Sequence, residues 1–363
     1  MKEKALELLN FIDKNGYEAY IVGGFVRDYL LGIESKDIDI CTNATPQELK
    51  EIFKEVDIDK DHYGSIVVYH DNVRFEITTY RKEGEYTDFR HPREVTYIND
   101  LYEDLLRRDF TINAICMDKN GKIIDPLNGK EDLNNKIIKA VYNADVSFKT
   151  DALRILRAIR FSILLDFKID DEVLEAIKNN KNLLPKLSFN RRKSELDKIF
   201  GSKKAYLGIQ LLKDLDIYKE LGLLNINKVK DYTDIVGIWA MINNPEYPFT
   251  NSEKKLIQDI NTVYDLDNLD VDNIYKYGLY ANLTAGINKG LTRQQVLEKY
   301  NTMQIHDRLE INITPEQICD ILSINPSKII NTVFTDLEYK LIHRELKNEY
   351  EELKQYILSK EWE

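Results

Sequence analysis

Apolar residues in the first third of the chain come in short runs between polar turns, whereas after about residue 145 they recur at helical spacing. The runs at residues 18–22, 37–40, 65–70, 73–79 and 114–118 are rich in β-branched and aromatic side chains and predict strands. Between the second and third runs, Thr45, Pro46 and Glu48 predict a helix start. Thr45 can cap, Pro46 suits the first helical position, and Glu48 completes a capping box. Residues 151–165, 171–180 and 189–200 predict further helices, and the helical pattern continues to Tyr356. The expected fold is α+β: a head with a mixed sheet, then an all-α remainder. Pro185 and residues 245–248 and 325–327 are the candidate breaks in the helical part.

Composition narrows the classes. A chain of 363 residues predicts about two to four subdomains. Hydrophobic residues at 43% and charged residues at 31% support a packed core throughout and exclude a long disordered arm. The first twenty residues spread their charges at helical spacing, so neither a signal peptide nor a membrane span is expected. Cys41, Cys116 and Cys319 lie far apart and outside any CxxC, which fits reduced thiols and a cytoplasmic location. A net charge of −11 excludes coating of nucleic acid by bulk attraction. It leaves room for a local basic groove, and residues 187–204 carry Arg191, Arg192, Lys193, Lys198, Lys203 and Lys204 against Glu195 and Asp197.

The chemistry concentrates in YIVGGFVRDYLLGIESKDIDI, residues 20–40. Side chains alternate along a strand, so Asp37 and Asp39 share one face while Ile38 and Ile40 take the other. Two carboxylates on one sheet edge repel unless a cation lies between them, which makes the pair a candidate Mg²⁺ site. Taken alone, the pattern fits a solvent-facing strand better than a metal site. Gly23-Gly24, however, follows a short apolar strand and opens a helical turn, where a phosphate can approach several backbone N–H groups. Arg27, one turn in, can add a charge-assisted contact. Glu76 lies on the polar face of the 73–79 strand and is the candidate third carboxylate.

GGFVRDYLLG followed by KDIDICTNATP resembles the signature of the polymerase-β-like nucleotidyltransferases, specifically the class II CCA-adding enzymes and their bacterial poly(A) polymerase relatives. In order along the chain, residues 81–95 resemble that family's flexible loop and RRDFTINAI, residues 107–115, its ribose-binding motif. DALRILRAIRF, residues 151–161, resembles its base-reading helix. The resemblance implies a nucleotidyltransferase head (1–140), a neck with the base-reading helix (141–200), a body (201–300) and a tRNA-binding tail (301–363). It implies CCA addition to tRNA from CTP and ATP with Mg²⁺, Asp37 and Asp39 holding metal and Gly24 and Arg27 touching the triphosphate. Arg108, Asp151, Arg154, Arg157 and Arg160 are implied nucleotide contacts and Asp109 a ribose contact. An Asp presents only acceptors and an Arg only donors, so one Asp-Arg pair can satisfy the amine and ring nitrogen of cytosine or adenine, while uracil and guanine place a carbonyl where the amine should be.

At about 100° per residue, Asp151, Arg154 and Arg157 span roughly a 120° arc, while Arg160 ends nearly opposite Asp151. An ion pair between head and neck is the alternative role for Arg160. The chain departs from the family at Thr150, where a Glu is usual; a Thr hydroxyl can cap the following helix. His62, His70, His91, His306 and His343 show no ligand spacing. The rival readings are a poly(A) polymerase, a partial CC-adding or A-adding enzyme, and a noncatalytic tRNA-binding protein. Either a monomer or a homodimer is compatible with the sequence.

Overall fold

The computed structural model describes residues 1–35, 37–53, 64–71, 73–83, 95–266 and 270–362. They form two compact units, Met1–Gly222 and Leu223–Glu363.

In the first unit, α1 (Lys2–Lys14) buries Ala5, Leu8, Leu9 and Ile12, one stripe at helical spacing. It leads into β1 (Ala19–Val22), α2 (Gly24–Leu31), β2 (Asp39–Thr42), α3 (Pro46–Ile52), β3 (Ser65–His70) and β4 (Val73–Thr79). The capping box at α3 forms as the sequence predicts, with Thr45 and Glu48 each accepting the other's backbone N–H. A hairpin of β5 (Arg81–Glu83) and β6 (Val95–Tyr97), then α4 (Leu101–Leu106), β7 (Cys116–Met117) and β8 (Ile123–Ile124), completes the head. The sheet runs β3-β4-β2-β1-β7-β8. Only the β2–β4 pair in it is parallel, among the described residues. That pair sets Asp39 directly opposite Glu76.

Strand β2 starts two residues later than the apolar pattern predicts. Its partner β1 ends at Val22, opposite Asp39, and the chain then turns at Gly23, leaving Asp37 without a ladder partner on that side. The alternation still holds, since Ile38 and Ile40 are buried and Asp37 and Asp39 are open. The predicted 114–118 strand shrinks to β7 because residues 111–113 form a 3₁₀ turn.

The helical part of this unit contains α5 (Gly129–Asn135), α6 (Ala144–Thr150), α7 (Leu153–Leu165), α8 (Asp171–Asn180) and α9 (Phe189–Phe200). A short parallel pair, β9 (Ile137–Ile138) with β10 (Lys168–Ile169), ties the approach to α6 to the exit of α7. The helix expected from residue 151 is broken at its start. Asp151 is extended at φ −134°, and its carboxylate accepts the Leu153 N–H at 3.0 Å. Thr150 does not cap α7: it ends α6, and its hydroxyl donates back to the Val146 carbonyl at 2.9 Å. The N-cap of α7 is Ala152, which has no side-chain cap, and the Asp151 carboxylate one residue earlier closes a local turn onto the first helical N–H.

The second unit is helical among its described residues, with long helices at Asn251–Asp265, Val271–Lys289 and Lys328–Ile342. Trp239 and Tyr247 are buried near its beginning, and Ile305, Ile318, Leu337 and Leu353 form a core toward its end. No helix among the described residues is long and apolar enough to cross a membrane.

Candidate active site

Gly23 turns β1 into α2 at φ +79°, a conformation L side chains rarely adopt. The turn brings backbone close to two functional groups: a Cβ on Gly23 would lie 3.7 Å from Arg108 Nη1 and 3.9 Å from Asp39 Oδ2. Around it opens a cavity of about 720 Å³ lined by Gly23, Gly24, Arg27, Asp37, Asp39, Arg108, Asp109, Asp151, Arg154, Arg157 and Arg160. Glu76 lies instead in an adjoining cavity of about 610 Å³, which Asp37 and Asp39 also line. The carboxylate pair thus forms a wall common to both spaces. Surrounding protein raises the Asp39 carboxyl above its ordinary range, Glu76 and Asp37 add to the rise, and Arg108 opposes it. An all-oxygen set of this kind suits a hard divalent cation, which relieves that repulsion.

Arg27 is held almost completely buried. Its Nη1 donates to Asn113 Oδ1 at 2.7 Å and its Nε to Asp28 Oδ1 at 2.8 Å. Asn113 in turn donates to Asp109 Oδ1 at 3.1 Å. Asp109 also accepts the Phe110 N–H at 2.8 Å, while its Oδ2 takes Arg157 Nε at 2.7 Å and pairs with Arg157 Nη2 at 2.5 Å. Burial would raise this carboxyl, but Arg157, Asn113 and Arg154 outweigh it and hold Asp109 at about 2. Asp109 is therefore largely occupied by protein partners, and any ribose hydroxyl would share it with Arg157.

Arg160 departs from its expected place. It lines the same cavity as Asp151, because Arg154, Arg157 and Arg160 step around α7 together with the wall they face. Its ion pair is with Glu195 of α9 at 3.2 Å, a neck partner rather than a head one. Burial lowers the Arg160 pKa, with Glu195 resisting. Arg27, Arg157 and Arg160 surround the ring of Phe161 at 5.1, 5.3 and 4.4 Å from its centroid. The ring's π face offsets part of the mutual repulsion of three guanidinium groups.

Asp151 and Arg154 face the cavity without bonding to each other. Arg191 of α9 approaches both Asp151 oxygens at 3.3 Å. Arg154 donates to Ser147 Oγ at 2.5 Å and to the Arg107 carbonyl. Sequence reasoning missed Asp104, Arg107, Asn113, Ser147 and Arg191. Asp104 was within reach, since its i+3 and i+4 spacing to Arg107 and Arg108 is a helical ion-pair signal. Within the basic stretch at 187–204, Arg191, Lys193, Lys198 and Lys204 pair with Asp151, Asp197, Glu195 and Asp166, Arg192 is buried and Lys203 is exposed. Against the expectation of no histidine grouping, the fold brings His70 within 3.5 Å of Glu7 and beside Asp71, which Lys4 also approaches at 3.9 Å. Residues 84–94, the bulk of the family's flexible loop, lie outside the described residues.

Residues 19–139 match the poly A polymerase head domain, 166–222 the probable RNA and SrmB-binding site of polymerase A, and 247–357 the tRNA nucleotidyltransferase domain 2. A CCA-adding enzyme of Lactococcus lactis subsp. cremoris is 35% identical over 376 residues, spanning 95% of this chain and 93% of the relative. This chain belongs to the CCA-adding enzymes. Another family member, from Oceanobacillus iheyensis, is 33% identical over 98% of this chain and 96% of its own length. The crystal structure of the Bacillus stearothermophilus CCA-adding enzyme in complex with CTP shares 25% identity at a TM-score of 0.80, covering 98% of this chain and 96% of that one. A Thermotoga maritima CCA-adding enzyme complexed with tRNA, 21% identical over 98% of this chain and 94% of that one, has the same fold at a TM-score of 0.72. The head is shared with poly(A) polymerases, but likeness over nearly the whole chain is to CCA-adding enzymes, and the chain is a tRNA nucleotidyltransferase. Nucleotidyltransferases of this family use divalent metal, and the Asp37 and Asp39 oxygens are chemically suited to one; among the described residues, Asp37, Asp39 and Glu76 do not draw together as Glu7, His70 and Asp71 do.

Proposed function

We propose that the chain extends tRNA 3′ ends with CCA from CTP and ATP in the cavity between α2, β2 and α7, without a nucleic-acid template and with release of pyrophosphate. The observation that carries this reading is the convergence on one cavity of the phosphate turn, the carboxylate pair and the arginine face of α7. Gly23 shapes the turn with its own N–H donated to the Ile115 carbonyl, Gly24 and the first turn of α2 offer backbone N–H groups to the triphosphate, and Arg27 and Arg108 add fixed cationic donors. Asp37, Asp39 and Glu76 would hold Mg²⁺, which when bound supplies Lewis-acid polarisation of the α-phosphate and a lowered pKa for the primer hydroxyl.

Asp151 accepts the exocyclic amine of the incoming base, and Arg154 donates to the ring nitrogen beside it. Both have capacity to spare: a guanidinium carries five N–H donors and a carboxylate about four acceptor positions. Arg157 orients the sugar through the Asp109 carboxylate that it holds. Arg160, paired to Glu195, fixes α7 against α9 while facing the phosphates. Residues 1–140, 141–200, 201–300 and 301–363 serve as head, neck, body and tail, with the tail holding tRNA, and the enzyme works in the cytoplasm.

The test incubates purified protein and Mg²⁺ with tRNAs ending at the discriminator base, at C and at CC, each with one NTP at a time. CMP should enter the first two and AMP the third, with UTP and GTP poor throughout. Failure of AMP on the third substrate would indicate a CC-adding enzyme, and long A tails on unrelated RNA a poly(A) polymerase.

A further inference from the structure

A cavity of about 360 Å³ lies wholly within the second unit, between the end of the helix Ile235–Ile242 and one face of the helix Asn251–Asp265. Its floor is aromatic: Trp239 is 1% exposed, and the half-buried Phe249 meets it edge-on at 5.5 Å between ring centroids. Its rim is polar. Lys254, Gln258, Asn261 and Asp265 all line it and recur at helical spacing, one stripe of the second helix. Asn243, left-handed at φ +50° where it ends the first helix, lines it from the other side.

Two features of that rim point to a ligand. The first is unspent hydrogen-bonding capacity: among the described residues, the carboxamides of Asn243, Gln258 and Asn261 have no protein partner, and neither Lys254 nor Asp265 has an ion-pair partner. The second is the order of the charges. A lysine in the first turn and an aspartate at the last residue both oppose the helix macrodipole, so the helix itself gains nothing from them. They stand about 16 Å apart along the helix, which gives the cavity a cationic and an acidic end.

We infer that this cavity receives one unstacked nucleobase of the tRNA, away from the reacting 3′ end. An aromatic floor takes the flat face of a base, and carboxamides, which present a donor and an acceptor side by side, match the amine, carbonyl and ring-nitrogen groups along its edge. Asp265 only accepts, so it favours a base with an exocyclic amine, and Lys254 suits the adjoining phosphate. The volume is near the lower limit for ligand pockets, about 300 Å³, which suits a single planar group and excludes a duplex or a helical peptide. The inference rests on tRNA as the substrate of this chain.

Trp239 makes the test direct, because Trp362 is the only other tryptophan in the chain. In a Trp362→Phe background, tRNA ending in CC should quench Trp239 fluorescence over the concentration range in which it binds on filters, and CTP or ATP alone should not. Asn261→Leu keeps the bulk of the side chain and removes its edge contacts. It should weaken tRNA binding about tenfold, within the span for one stacked base, and raise the KM for tRNA by the same factor, with kcat and the KM for CTP unchanged. Should Asn261→Leu fail to fold, Gln258→Leu serves instead, since Gln258 is exposed, and the same pattern is expected. Weaker binding without any quenching in the parent protein would place the effect of Asn261 outside the cavity and overturn the inference. Quenching by CTP or ATP alone, with tRNA affinity indifferent to Asn261→Leu, would give the cavity to free nucleotides and overturn the tRNA base as its occupant. A wild-type protein that neither binds nor extends tRNA overturns the substrate reading and this site with it; a wild type that extends tRNA, beside a folded variant of unchanged affinity, overturns the site alone.

Discussion

Replacing Asp109 by Asn removes the carboxylate that this site holds most firmly. Burial works against the charge, yet Arg157, Asn113 and Arg154 bring the pKa from the ordinary 3.8 to about 2. At 1.36 kcal/mol per pKa unit, that depression is worth about 2.5 kcal/mol of native stability at neutral pH. The pKa is lowered on folding, so the contribution is complete above the unfolded value near 3.8 and disappears as pH falls through about 2. At pH 3 roughly half remains, about 1.3 kcal/mol by the same linkage. The Asn variant also strands the Arg157 guanidinium, at a cost of about 3–5 kcal/mol that does not change between pH 3 and 7 because an arginine stays charged throughout. The stability gap between wild type and Asp109→Asn should therefore narrow by roughly 1 kcal/mol from pH 7 to pH 3. Urea denaturation followed by circular dichroism at pH 7, 5 and 3 measures both proteins, and titrations elsewhere cancel in the difference. A gap of the same size at pH 3 and pH 7 would refute the claim that Arg157 pairs with an ionised Asp109.

Three further outcomes follow from the same geometry. Asp39→Ala should abolish nucleotide incorporation while tRNA affinity, measured by filter binding, stays within about twofold, because the change removes a metal oxygen and no basic contact. Asp151→Ala should relax discrimination against UTP and GTP in single-nucleotide incorporation, since a carbonyl on the base no longer meets a carboxylate; a uniform loss with all four nucleotides would remove the base-reading role. Deleting residues 84–91 behind a short glycine linker should leave addition of CC largely intact and stop the terminal A, as read on sequencing gels; equal loss of both steps would indicate general substrate clamping.

The hydrophobic pattern predicted the head's strands well because each carries its own alternation, as in Ile38 and Ile40 against Asp37 and Asp39. What it misplaced were strand and helix starts: β2 begins where its partner β1 stops, and α7 begins only after extended Asp151 turns its carboxylate onto the Leu153 N–H. Candidate residues were legible when they formed a short motif, as at Gly23-Gly24, Arg108-Asp109 and Asp151 to Arg154. Asn113 and Arg191 were not, because their roles arise only when residues 86 and 40 positions distant come to face them. Arg160 shows the limit of angular projection: the arc on α7 was drawn from Asp151, which is not helical, so the face was set from the wrong origin. Residues 201–300 held little to read beyond helicity, since helical periodicity marks a buried face but not which neighbour covers it.

An enzyme that handles a triphosphate and a tRNA would be expected to carry net positive charge, yet this chain has −11. The ion pairs of the cleft explain how both can hold. Arg27 is matched by Asp28, Arg107 and Arg108 by Asp104, Arg157 by Asp109, Arg160 by Glu195 and Arg191 by Asp151. Each carboxylate cancels much of the long-range field of its arginine, while the arginines still line the cavity. Attraction at a distance is given up and orientation is gained, because a paired arginine has already lost the side-chain freedom that a phosphate would otherwise have to remove. Such an arrangement suits a pocket that reads cytosine and adenine with the same side chains. Loose cationic groups would grip any nucleoside triphosphate by its phosphates alone, whereas donors fixed by neighbouring carboxylates bind well only when the base also fits.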